Sequence, residues 1–331
     1  MLHLDATSNT VVTVAPDGTF VAIQSALDGH APRVLHSSDG LAWTNLGPLP
    51  ASQDSQVNAI TKDGHGLIAV GFDPAGVAWT SANGRTWRRE PEQPSLASEE
   101  LERVATRPDA IIAVLGSGSL ASSPDGLSWS VFSIDGTGVA KVSDVAASAA
   151  GFVAVGSVGT RAAAWTSSDG RSWQPAAFPG NADASAQLIS VAVDGGRLVA
   201  LGAVASPGDS GPSPGDADES VWTTVQAWSS ADGGATWTRS AHAAPALYAP
   251  SFPSPYAGWG GFVAIGNPGP GGIEVWTTPD DAVWQQARID AAGIDVWGKS
   301  LAISGPIAVI GGKTVGTGAG GDRAVFWVGQ R

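Results

Sequence analysis

Seven short apolar runs recur along this chain: Phe20-Val-Ala-Ile23, Leu67-Ile-Ala-Val70, Ile111-Ile-Ala-Val114, Phe152-Val-Ala-Val155, Leu198-Val-Ala-Leu201, Phe262-Val-Ala-Ile265 and Ile307-Ala-Val-Ile310. Each is too short for a helix and apolar at every position, mostly with glycine after it, which is the pattern of a strand buried on both faces. Polar segments of one kind alternate with the runs: Ser37-Ser-Asp-Gly-Leu-Ala-Trp43, Ser81-Ala-Asn-Gly-Arg-Thr-Trp87, Ser123-Pro-Asp-Gly-Leu-Ser-Trp129, Ser167-Ser-Asp-Gly-Arg-Ser-Trp173, Ser230-Ala-Asp-Gly-Gly-Ala-Thr-Trp237 and Thr278-Pro-Asp-Asp-Ala-Val-Trp284.

Asp-Gly or Asn-Gly between strands marks a hairpin, because the turn needs positive φ. The Asp side chain caps turn amides, the hydroxyl two positions earlier adds a hydrogen bond, and the following Trp buries a large ring. The segments therefore read as structural staples built on Asp39, Asn83, Asp125, Asp169, Asp232 and Asp280 with Trp43, Trp87, Trp129, Trp173, Trp237 and Trp284. Their Trp-to-Trp spacings of 44, 42, 44, 64 and 47 residues match one four-stranded blade per repeat.

The expected fold is all-β: a single seven-bladed β-propeller of four-stranded antiparallel blades. The predicted blades cover about 9–47, 55–91, 100–133, 140–178, 186–240, 246–289 and 299–331, with a loop insertion at 203–225 in blade 5. Trp327 occupies the strand position of Trp79, Trp165, Trp228 and Trp276, and the chain stops four residues later, so blade 7 lacks an outer strand of its own. Residues Leu2-His-Leu-Asp5 are expected to supply it and close the ring, which removes exposed sheet edges.

These motifs resemble the Asp-box, or BNR-repeat, propellers, a family that includes sialidases, xyloglucan-cleaving enzymes, sortilin-type receptors and a photosystem II assembly factor. The resemblance covers practically the whole chain. Ser230 to Trp237 has the full eight-residue pattern, and the other copies are one residue shorter. The resemblance implies that the boxes are structural and lie on hairpins opposite the usual binding face. The sialidase pattern of three arginines, a Tyr-Glu pair and an early Arg-Ile-Pro-like segment is not matched.

With 44 Gly and 14% charged residues, the composition suits short strands and tight turns. A net charge of −13 argues against nucleic-acid binding, and no stretch approaches the ~20 apolar residues of a membrane span. The absence of Cys removes disulfides and thiolate chemistry. An acidic, Trp-rich, Ala- and Gly-rich chain with few Lys is compatible with an exported bacterial protein, extracellular or in the cell envelope, with Met1 standing where a leader was removed; a cytoplasmic location stays open. The five histidines are scattered without zinc spacing, so neither metal nor cofactor is expected, and a monomer is expected.

Three tryptophans lie outside both repeat positions: Trp222, Trp259 and Trp297. Trp222 falls in the second-to-third-strand loop of blade 5, Tyr248 after the crossover into blade 6, and Trp297 in the crossover into blade 7. On the loop face these three would form an aromatic arc for a glycan or a protein, whereas Trp259 belongs to the opposite face. Glu219, Glu274 and Asp295, with Asp218, are weak candidates for a carboxylate pair, which glycoside cleavage requires at about 5 to 9.5 Å. Arg103 and Asp144 hold matching repeat positions on adjacent inner strands, where they form either a structural ion pair or an anchor for an anionic ligand, with Glu102 and Lys141 nearby.

The expected function is recognition without catalysis: a propeller that binds a glycan or protein partner through its loop face. The alternatives are a carbohydrate-active glycoside hydrolase or polysaccharide lyase, and an assembly factor for a larger complex.

Overall fold

The computed structural model describes residues 7–26, 30–53, 55–136, 138–178, 186–205, 222–240, 254–266, 272–279, 283–290, 296–314 and 323–330. It is a seven-bladed β-propeller. Its inner strands are Thr7–Val14, Gln56–Asp63, Leu101–Arg107, Ala140–Ser148, Ala186–Asp194, Ser254–Gly258 and Val296–Ser304. Each pairs antiparallel with the next strand in sequence, and six blades are four-stranded meanders. Blade 7 shows three strands among the described residues. The fourth strand expected from Leu2 to Asp5 lies outside the described residues.

The apolar runs form the second strands, as their pattern requires, and the register corrects one of them. Ser304 pairs with Ile307 as Ser148 pairs with Gly151, so Ala308 to Gly311, and not Ile307 to Ile310, occupies the run position of blade 7. With that shift, Trp327 opposite Ile310 matches Trp79 opposite Ala69 and Trp165 opposite Ala154.

The core is not one cluster but seven, one in each seam between neighbouring blades. A strand buried on both faces meets a different blade on each side, which explains why the runs have no polar alternation. The seam between blades 7 and 1 packs Val12, Phe20, Ala22 and Leu35 against Ala302 and Val309, and Trp43 stacks on Phe326 at 4.1 Å. Among the described residues, packing and side-chain hydrogen bonds from Ser300 and Ser304 join the two blades at that seam.

The hairpin motifs do more than staple their own hairpins. The Asp39 carboxylate accepts from the amides of Leu41 and Ala42, both at 2.9 Å, and Asp169 accepts from Arg171 and Ser172 at 2.9 and 2.8 Å. The leading serine accepts from the glycine amide at 2.8 to 3.0 Å in five copies. Each glycine also abuts the preceding blade. A methyl group added to Gly40 would stand 2.6 Å from Val309 Cγ2, and one on Gly170 the same distance from Ile112 Cδ1. Gly84 meets Val21 and Gly234 meets Val153 in the same manner, so the motif needs glycine for seam packing as well as for positive φ. The sixth copy's Asp280 lies outside the described residues.

Candidate functional site

The inner strands surround an axial channel whose cavity of about 620 Å³ is walled by residues of all seven blades. Channel chemistry is set by the register of these strands. In blades 2 to 5 and 7 one residue bulges out of the ladder: Asn58, Glu102, Ser143, Ile189 and Lys299. A bulge re-aims the side chains around it, and here it recurs at one level near the N-terminal end of each strand, which is the loop face.

The residue after the bulge pairs with the fourth position of the apolar run: Ala59, Arg103, Asp144, Ser190 and Ser300. Arg103 and Asp144 do share one level, and both line the cavity. Their polar groups nevertheless do different things. Asp144 accepts from the Val145 amide at 2.8 Å and from the Val191 amide of blade 5 at 2.9 Å. Ser300, at the matching place in blade 7, accepts from the Val12 amide and donates to the Thr10 carbonyl of blade 1, both at 3.0 Å. Val12 and Val191 are equivalent, so Asp144 and Ser300 are two copies of one latch between blades. Burial pushes the Asp144 carboxyl up, with Arg103 and the two amides opposing.

The Arg103 side chain carries no acceptor atom and so makes no such latch. Its guanidinium donates to the Glu102 carbonyl at 2.9 Å, and the closest carboxylate oxygen, Glu102 Oε2, is 3.8 Å away. Lys299 shares this end of the channel. Burial, then the neighbouring cations Arg103 and Lys313, hold its ammonium below the usual lysine range, while Glu102 opposes them. Glu102 is pushed up by burial and by Glu100, against the pull of Arg103 and Lys299. A charged cluster of Glu102, Arg103 and Lys299 therefore stands at the channel mouth of a strongly acidic protein.

No family model and no curated protein matches this chain. Solved structures match over nearly the full length. Virginiamycin B lyase from Staphylococcus aureus is 11% identical with a TM-score of 0.62, each chain covered to 98%. YCF48 from Cyanidioschyzon merolae is 13% identical with a TM-score of 0.55, covering 98% of this chain and 97% of that one. A structure of YCF48 bound to D1 peptide is also 13% identical, with a TM-score of 0.51 over 83% of this chain and 82% of that one. These likenesses are of β-propeller fold.

Of the aromatic arc, the structure describes one side chain. Trp297 is half-buried and lies within the inner strand of blade 7, two residues before Lys299, not in the crossover. Trp222 begins the third strand of blade 5 opposite Ala205. Tyr248, Glu219, Asp218 and Asp295 lie outside the described residues. Glu274 is on the third strand of blade 6, paired with Gly266 and Arg288 and away from the cavity lining. Trp259 occupies the first hairpin of blade 6 at φ 56 and donates to the Gly305 carbonyl at 3.2 Å. Lys299 is the residue that sequence reasoning missed. The register supplies what was missing: the one-residue correction of the seventh run aligns Lys299 with Glu102 and Ser300 with Arg103. Among the described residues no group of three or more His, Asp or Glu could hold a metal ion, and no helix is long and apolar enough to cross a membrane.

Proposed function

We propose that this chain is a recognition propeller that binds a protein segment across its loop face and uses the channel mouth as the anchor. The observation that carries this reading is the convergence of Glu102, Arg103 and Lys299 on a cavity of about 620 Å³ held by seven packed seams. A cleft with perturbed charged groups and an apolar wall is the usual form of a binding site. Exposed apolar side chains on the same face, Phe72, Val139 and Val158, favour a protein over a glycan. The similar propeller of YCF48 is bound to a peptide, which agrees with this choice.

The hairpin geometry supports membership of the Asp-box propellers, and composition supports export in bacteria; both belong to the proposal. The test is a paired screen of the purified chain. A glycan array and a panel of chromogenic polysaccharides run beside cross-linking and capture from the native host. Saturable capture of a protein without polysaccharide turnover is the expected result. Turnover, or binding confined to glycans, would overturn this reading.

A further inference from the structure

The mouth gathers mutually repelling cations in one place. Arg103 and Lys313 both depress the Lys299 ammonium, and the chain as a whole has 17 cationic residues against 30 acidic ones. Like charges brought together at one mouth of a channel cost free energy unless an anion joins them, although solvent screens part of that cost here. Glu102 and Asp144 are the anions that face Arg103; Asp144 is committed to the Val145 and Val191 amides, and Glu102 serves poorly. Its Oε2 stands 3.8 Å from the Arg103 guanidinium, beyond the ~2.7 to 2.9 Å of a charge-assisted hydrogen bond. Lys299 makes no hydrogen bond or ion pair to a described residue, and Nε and Nη2 of Arg103 make none either. The Arg103 and Glu102 side chains keep 44% and 41% of their surface exposed, so a ligand can reach both.

The surroundings narrow the class of ligand. Blade 3 carries Glu102 and Arg103, and its second-to-third-strand turn is Gly116-Ser-Gly-Ser119, small residues over which Lys141 of blade 4 reaches, its Nζ donating to the Ser117 carbonyl at 2.7 Å. Exposed Phe72 of blade 2 stands on one side, and Val139 and Val158 of blade 4 stand on the other. An apolar-flanked turn that leads to a solvent-accessible guanidinium, with the Lys141 ammonium beside it, fits an extended chain with apolar side chains and a terminal anion. The planar fork of arginine matches a carboxylate through two parallel hydrogen bonds.

We propose that the channel mouth is a receptor for a peptide carboxylate, held between Arg103 and Lys299, with the preceding apolar residues of the peptide lying over blade 3. Glu102 occupies the place of that carboxylate in the free protein and gives way to it. The inference rests on the recognition reading and names the chemistry that the partner presents.

The test is calorimetric titration of the whole chain with an acetylated tripeptide of apolar residues, made once with a free C-terminal carboxylate and once amidated. Glucuronate and inorganic phosphate serve as comparison probes. The free-acid peptide is expected to bind at least tenfold more tightly than its amide and than either comparison probe. Arg103→Gln and Lys299→Met are each expected to weaken it about tenfold, and Glu102→Gln to strengthen it severalfold by removing the internal competitor. Thermal melts of the three variants confirm that each is folded. Equal affinity for acid and amide, a preference for glucuronate or phosphate, weaker binding in Glu102→Gln, or no binding of any probe would overturn the proposal. A protein partner captured equally well by wild type and Arg103→Gln would overturn it too, together with the anchoring role of the mouth, while leaving intact the reading that the loop face binds a protein.

Discussion

Replacing Ser300 by Ala tests the closure of the ring at a seam where the described residues show no shared strand. The hydroxyl is buried and makes two hydrogen bonds across the seam, accepting from the Val12 amide and donating to the Thr10 carbonyl, both at 3.0 Å. Truncation leaves both backbone groups without that partner. A buried polar group left unpaired costs roughly 1 to 3 kcal/mol, so the loss is expected at about 2 to 4 kcal/mol. Ser304→Ala supplies the control: same residue type, same strand, same seam, one hydrogen bond to the Gly18 carbonyl at 2.9 Å, but exposed. Water replaces that bond, and the loss is expected to stay within about 0.5 kcal/mol. Guanidinium unfolding followed by tryptophan fluorescence measures both. A loss below about 1 kcal/mol in Ser300→Ala, or equal losses in the two variants, would refute the assignment of latch strength to burial.

Gly40→Ala places a methyl group 2.6 Å from Val309 Cγ2 at φ 76, and is expected to cost about 1 to 2 kcal/mol for the backbone plus about 1 to 3 for overpacking. Gly136→Ala, at φ 68 with open space around it, should show the backbone cost alone, and the melting temperatures of the pair separate the two contributions. The Asp39, Asp125, Asp169 and Asp232 carboxyls lie below the ordinary value of 3.8, held there first by turn amides. Their stabilisation is therefore complete above pH ~4 and is lost as pH falls through the lower folded values; Asp125→Asn should flatten the acid side of the melting curve, since Asn83 already makes the same bonds without titrating. His36 accepts from Arg85 at 3.0 Å through Nε2 and is neutral there; burial and then Arg85 hold it below 6.5. The unfolded chain thus takes up the proton first, stability falls as pH drops below 6.5, and His36→Gln should remove that part of the pH dependence of melting.

Much of this molecule is legible from local pattern. The spacing of the Asp-Gly-containing segments and the seven apolar runs determined the blade number and the order of strands, because hairpin geometry and burial on both faces are requirements of a few adjacent residues. The site was legible only in part. Repeat alignment put Arg103 and Asp144 on one level, yet it did not separate their roles, since both are charged residues near the start of an inner strand and opposite charges suggest a pair. Their difference lies in the next blade. Asp144 meets the Val191 amide, whereas the matching Val145 amide in front of Arg103 is already satisfied by Asp144 itself. Lys299 entered the site through a bulge and a one-residue shift in blade 7, neither of which leaves a mark in hydrophobic periodicity. The sequence by itself determined the repeat and what each blade is made of. Only the tertiary structure decided which charges meet on the axis, because residues about 200 positions apart become neighbours there by register and ring closure, and electrostatic energy depends on that distance through space.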